Sequence, residues 1–159
     1  MAFLFWTLAD VAAFPAAFGL GVGRVANFVN GELWGRPTNA GWGVIFPRVD
    51  NLPRHPSQLY EAASHFLLLG VLLWFLHRRP QTVQRPGVLA AMFLALYGGL
   101  RFLTDFYRAD DTFFGPFSSG QWASLLVAAI GLVLLARPAT NSKDTLLTSL
   151  TPQQDNHAQ

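Results

Sequence analysis

Four stretches of this chain are apolar over lengths that suit a bilayer: roughly residues 3–22, 60–76, 88–107 and 121–136. A helix needs about 20 apolar residues to cross the hydrocarbon core. The second and fourth stretches are short and would cross with little tilt. Inside a bilayer each backbone N–H and C=O must be satisfied within its own segment, so runs of this kind are helices. The composition agrees, with only 13% charged residues where soluble domains carry about 25%. The expected fold class is all-α, a polytopic helical membrane protein with about four transmembrane helices. A segment rich in Gly, Pro and Trp, including GRPTNAGWGVIFPRVDNLPRHPS, joins the first two spans as an irregular, outward-facing connection. The expected organisation is a transmembrane helical domain over 1–140 and a disordered polar cytoplasmic tail over 141–159.

Several function classes fall away. The first stretch lacks the basic n-region of a signal peptide, and Asp10 interrupts its apolar run. The chain has no cysteine, which removes disulfides, thiolate metal sites and a cysteine nucleophile. His55, His65, His77 and His157 show no paired ligand spacing, so no metal and no cofactor is expected. The formal charge is +2 and the basic residues are scattered, which excludes a nucleic-acid footprint.

Orientation follows from the loops. HRRPQTVQRPG, residues 77–87, holds Arg78, Arg79 and Arg85 and no acid, and the last span exits beside Arg137 and Lys143. Short basic loops stay in the cytoplasm. Residues 24–59 and 108–120 then face outward. That side also carries Arg24, Arg36, Arg48, Arg54 and Arg108, so basic density in the short loop decides. Trp34, Trp42 and Trp122 at one boundary and Trp6 and Trp74 at the other suit aromatic belts.

Three polar constellations stand against this apolar background. In GRVANFVNGELWG, Arg24, Asn27 and Asn30 recur at every third residue and share one broad helix face, followed by Glu32 between Gly31 and Gly35. The planar fork of arginine suits a pair of phosphate oxygens. An arginine alone could simply snorkel to headgroups. In LYGGLRFLTDFYRADD, Tyr97, Arg101, Asp105 and Arg108 fall on one narrow arc. An arginine so deep in a span faces a protein interior or a wet cavity. Asp105, one turn along, is its expected partner, either as a site or as a structural pair. Gly98 and Gly99 would let another helix approach. In PRHPSQLYE, Pro56 fits a helix start and Gln58 can reach back to it. His55 is read either as a headgroup contact or proton shuttle, or as part of that helix start. A serine hydrolase is discounted, because no Gly-x-Ser-x-Gly elbow surrounds Ser57.

At these residues the chain resembles prolipoprotein diacylglyceryl transferases. Three stretches carry the likeness in order: GRVANFVNGELWGR, RHPSQLYE, and YGGLRFLTDFYR followed by DD and by Gly120-Gln121. The resemblance implies a multi-pass enzyme of the bacterial inner membrane with its active site toward the outer leaflet. It implies transfer of the diacylglyceryl group of phosphatidylglycerol to the cysteine thiol of a prolipoprotein lipobox peptide. By the same resemblance Arg24, Asn27, Asn30, Glu32 and Gly35 form the phosphatidylglycerol setting, and Arg101, Tyr97 and His55 are the catalytic candidates. The partners implied are phosphatidylglycerol, other membrane lipid and the prolipoprotein. Two departures matter. Family members are nearly twice as long, and their amino-terminal half, with a His-Gly-Gly stretch, has no counterpart here. This makes a missing amino-terminal half a further expected partner. Asp105 stands where the family usually has glutamate, which shortens its reach toward Arg101 or Arg108. The alternatives are a non-catalytic phospholipid-binding membrane module and a small channel or transporter lined by the polar faces.

The topology is testable because the chain offers no competing thiol. A Thr82→Cys variant is expected to resist an impermeant thiol reagent in intact cells and to react after lysis. Labelling in intact cells would reverse the orientation.

Overall fold

A computed structural model describes residues 2–80, 85–109 and 112–137. Four long helices dominate: α1 (Ala2–Asn30), α2 (Ser57–Arg78), α3 (Val88–Asp105) and α4 (Ser119–Leu135). Two small antiparallel hairpins sit in the connections. One pairs β1 (Val44–Ile45) with β2 (Pro53–Arg54), and the other pairs β3 (Phe113–Phe114) with β4 (Phe117–Ser118). The protein is an all-α polytopic membrane protein. The helices α1, α2 and α3 are long and apolar enough to cross a membrane, and α4 is a shorter apolar helix. The tail expected from residue 141 lies outside the described residues.

The first helix runs farther than its apolar stretch suggests. It continues through Arg24 and Asn27 to Asn30, because nothing in GRVANFVN breaks a helix. Gly31 ends it in the left-handed conformation at φ 71°. Its N–H reaches the carbonyl of Phe28 at 3.1 Å, and the N–H of Glu32 reaches that of Asn27 at 2.9 Å. These two bonds make a Schellman stop, which favours glycine at that position.

Asp10, the interruption in the first apolar run, has a structural role. Its carboxylate accepts the backbone N–H groups of Gly87 at 2.6 Å and Ala90 at 2.8 Å. Those amides open α3 and have no partner inside the helix, so a carboxylate from α1 caps them. The contact fixes the N-terminal part of α1 beside the start of α3. The opposite ends of the helices therefore gather together, along with the two hairpin-bearing connections.

The core is built from small and branched residues. Ala13 and Ala17 of α1 pack on Leu68 and Leu72 of α2 and Leu89 of α3. Large apolar side chains point outward instead, with Phe3, Val11, Val29, Leu126 and Val133 all exposed. That inversion suits lipid rather than water as the surrounding solvent. Between α3 and α4 the backbones nearly touch. A Cβ on Gly98 would lie 2.5 Å from Ala128 N and Ser124 O, and one on Gly131 would lie 2.3 Å from Ala95 N. The close approach expected at Gly98 and Gly99 is made by Gly98, while Gly99 faces open space. On α4 Gly131 makes a second close approach, to Ala91 and Ala95 of α3.

Gly98→Val should lower stability by about 1–3 kcal/mol through overpacking, whereas Gly99→Ala should leave it nearly unchanged. Thermal unfolding of the two variants in detergent compares them, and equal effects would contradict this packing.

Candidate functional site

Glu61 lies one turn into α2, and its side chain is 1% exposed. Three arginines from different parts of the chain meet it. Arg24 of α1 places Nε 2.7 Å from Oε2, Arg101 of α3 places Nη1 3.1 Å from Oε2, and Arg108 places Nη1 3.0 Å from Oε1. Asp105 stands behind them, with Oδ1 3.7 Å from both Arg101 Nη2 and Arg108 Nε. Three guanidinium groups and two carboxylates meet in this cluster. The side chain of Arg24 is 18% exposed, and among the described residues its two terminal nitrogens have no partner.

Asp105 also joins α3 to α4. The Ser118 hydroxyl donates to its Oδ2. Ser118 in turn caps α4, accepting the Gln121 N–H at 3.0 Å while Gln121 Oε1 accepts the Ser118 N–H at 2.9 Å. A Cβ on Gly120 would sit 3.0 Å from both Asp105 oxygens, so glycine makes room for the carboxylate. The sequence expectation paired Arg101 chiefly with Asp105. That pair forms, but at 3.7 Å it is longer than the 3.1 Å contact between Arg101 and Glu61. Helical spacing shows neighbours on one helix and cannot show a carboxylate arriving from another. Glu61 closed the RHPSQLYE stretch and was not singled out. The available signal was an acid in the first turns of an apolar span, as costly there as Arg101.

The connection from α1 to α2 forms a platform over this cluster. Leu33 adopts φ 56°, a strained value for a branched side chain. Two buried side chains of α2 hold it: Ser57 Oγ donates to Leu33 O at 3.1 Å, and Gln58 Nε2 donates to Glu32 O at 2.6 Å. Gln58 therefore reaches the preceding connection rather than the start of its own helix. Next, Gly35 and Arg36 thread between two backbone segments. Gly35 N–H donates to His55 O at 3.0 Å, and Arg36 N–H donates to Tyr107 O at 2.9 Å. A Cβ on Gly35 would lie 2.4 Å from His55 O and 2.5 Å from Tyr107 O. Only glycine fits that slot. Arg36 Nε then donates to Arg108 O at 2.7 Å, which anchors the backbone behind the Arg108 side chain. On the outer edge Arg54 forks onto Asp50 at 3.2 and 2.5 Å and also donates to Gly35 O at 3.1 Å. The Arg54 guanidinium holds the half-buried Asp50 carboxyl below the usual carboxylate range.

The structure thus brings Arg24 and Arg101 together with Arg108 and Asp105. Other expected site residues surround them differently. His55 is part of the platform itself, its backbone bonded to Gly35 and Arg36 and its Nδ1 3.2 Å from the Tyr60 hydroxyl. Tyr97 sits one turn deeper than Arg101, its ring stacked on Phe93 at 5.7 Å and beside His65 at 5.5 Å. Asn27 is half-buried and gives its carbonyl to the α1 stop. Asn30 is exposed, and its carbonyl accepts from Arg48 Nη1 at 3.4 Å. Glu32 lines a cavity of about 470 Å³ with Leu33, Trp34 and Ala109. Gly35 contributes through its missing side chain.

Comparison with known proteins follows the same residues. The family described as prolipoprotein diacylglyceryl transferase matches residues 2–137. A phosphatidylglycerol–prolipoprotein diacylglyceryl transferase of Polynucleobacter asymbioticus is 43% identical over 145 residues, covering 89% of this chain and 53% of that protein. Its namesake in Nitrosomonas europaea is 48% identical over 131 residues, covering 79% of this chain and 46% of its own. The Bordetella avium namesake is 46% identical over 144 residues, covering 87% and 53%. The chain spans about half the length of the curated relatives it matches. No solved structure matches it.

Removing one partner of a buried ion cluster leaves unpaired charge at about 3–5 kcal/mol. Glu61→Ala should therefore unfold at markedly lower temperature than the parent, while Arg48→Ala, at an exposed position, should barely move the transition. Equal midpoints for parent and Glu61→Ala would remove Glu61 from the centre of the site.

Proposed function

Because the chain belongs to the prolipoprotein diacylglyceryl transferase family, we propose that it serves the transfer of diacylglyceryl from phosphatidylglycerol to a prolipoprotein lipobox cysteine, using the arginine cluster as its phosphate site. The observation that carries this reading is Arg24. It is held at Nε by Glu61, and its two terminal nitrogens, unpartnered among the described residues, lie at the partly exposed edge of the cluster. A forked guanidinium matches two oxygens of a phosphodiester.

The chemistry asks for charge at that place. The cysteine thiolate attacks the glycerol carbon that bears the phosphoester oxygen. The new C–S bond forms as that C–O bond breaks, and glycerol phosphate leaves with the electron pair. The negative charge of sulfur ends on the leaving phosphate. Cations fixed in advance beside those oxygens stabilise the transition state more than the ground state. In this proposal Arg24 contacts the phosphate directly and Arg101 supports it from the cluster. Glu61 keeps both from reorienting. Asn27, Asn30 and Glu32 border the headgroup, and Tyr97 supports Arg101 from one turn below. The thiol, near pKa 8.5 when unperturbed, must lose its proton first. We assign that step to the counterpart of the relatives' remaining length, a partner of the site described above.

In the same reading the membrane is the bacterial inner membrane and the cluster opens toward its outer leaflet. The short basic loop at residues 77–87 faces the cytoplasm, and the cluster lies at the opposite ends of the helices.

The test is lipid binding by the chain itself. The purified protein should retain phosphatidylglycerol in native mass spectrometry. Arg24→Ala should weaken that binding by about tenfold or more, as expected for a lost charge-assisted bond, and Arg24→Lys should restore only part of it. Undiminished binding by Arg24→Ala would refute the phosphate site.

A further inference from the structure

Trp42, Tyr60 and His55 form a chain of hydrogen bonds whose direction follows from what each group can do. The indole N–H of Trp42 lies 2.9 Å from the Tyr60 hydroxyl oxygen. Indole has no acceptor, so this bond runs from Trp42 to Tyr60. The same oxygen lies 3.2 Å from Nδ1 of His55. Among the described residues, the phenol proton has no other acceptor. A bond running from Tyr60 to Nδ1 satisfies all three groups. The reverse assignment gives the phenol two incoming bonds and leaves its own proton unplaced.

The surroundings hold this arrangement. His55 N–H donates to Arg36 O at 3.0 Å, and His55 O accepts from Gly35 N–H at 3.0 Å, which pins the backbone on both sides. The imidazole meets the Tyr60 ring at 6.0 Å and the Tyr107 ring at 5.1 Å, both in edge contacts. Tyr60 precedes Glu61 on α2, so one helix turn carries both the aligned phenol and the carboxylate that gathers the arginines.

We propose that Tyr60, oriented by Trp42, fixes His55 as the neutral tautomer with its proton on Nε2, making His55 a hydrogen-bond donor to an oxygen of the bound phospholipid headgroup and not the base for the thiol. A neutral imidazole accepts at one nitrogen and donates at the other. With Nδ1 engaged by the phenol, accepting a substrate proton would require breaking the Tyr60 bond. His55 is then a binding residue, and Tyr60 and Trp42 are positioning residues. This inference rests on the phospholipid reading of the site for its substrate, but the tautomer is a property of the chain alone.

The experiment is nitrogen-resolved solid-state NMR of the histidine-labelled chain in phosphatidylglycerol bilayers, at a pH of about 8 where an ordinary imidazole is neutral. Loss of resonances in His55→Gln assigns His55. We expect an unprotonated Nδ1 and a protonated Nε2 in the parent, with the Nδ1–H form appearing in Tyr60→Phe. A protonated Nδ1 in the parent, or a tautomer indifferent to Tyr60→Phe, overturns the proposal. Phosphatidylglycerol binding supplies the second readout. His55→Phe should weaken it by about ten- to a hundredfold, the range of a bond to a charged group. His55→Gln, which keeps a donor near Nε2, should recover part of that loss. Equal losses in both variants overturn the donor role. If Arg24→Ala binds normally, the phospholipid reading fails separately, and the nitrogen resonances still decide the tautomer.

Discussion

The site end of this molecule depends on one buried carboxylate. Arg24, Arg101 and Arg108 would repel one another at the distances they adopt, and in a low-dielectric setting that repulsion is strong. Glu61 turns it into attraction by touching all three within 3.1 Å. Two sequence-distant segments, the end of α1 and the end of α3, are thereby tied to the first turns of α2. Asp105 adds a second negative group and passes the restraint to α4 through Ser118. The cluster is thereby organised internally, with Arg24 at its partly exposed edge.

The opposite end uses a different device for a related purpose. Asp10 is a buried acid as well, but its partners are backbone amides of Gly87 and Ala90. Among the described residues it meets no guanidinium, and its effect is to dock α1 on the start of α3. Between the two polar ends the helices rely on small residues for close contact, at Ala13, Ala17, Gly98 and Gly131. Each carboxylate in the apolar part of the chain thus ties separate helices together, and the one that gathers side-chain cations marks the site.

Much of this was legible in the sequence. The apolar runs gave four helices, and the costly arginines within or beside them pointed to Arg24, Arg101 and Arg108. What sequence spacing missed has physical causes. The pairing of Arg101 with Glu61 is a contact between helices, while periodicity describes one helix at a time. The length of α1 depended on the Schellman stop at Gly31, a backbone event that hydropathy does not register. Gly35 carries a steric requirement that spacing does not show, set by two carbonyls from distant segments. Asn27 and Asn30 share a face with Arg24 on paper, yet near the helix end their carbonyls make the recorded contacts. Gly99 resembles Gly98 in sequence and differs only in which way it faces.

Under the proposed function, recognition of an anionic headgroup rests on the geometry of Arg24 rather than on net charge. Exposed arginines such as Arg48 contribute charge, but Glu61 holds Arg24 in place. Stiffness follows from the same network, because moving any one guanidinium would expose the buried carboxylate. The most direct test is a distance between nuclei. With nitrogen-labelled arginine in phosphatidylglycerol bilayers, dipolar coupling to phosphorus should place a phosphate within hydrogen-bonding range of the Arg24 terminal nitrogens, and the signal should vanish in Arg24→Ala. Coupling that survives in Arg24→Ala, or none in the parent, would contradict the phosphate site.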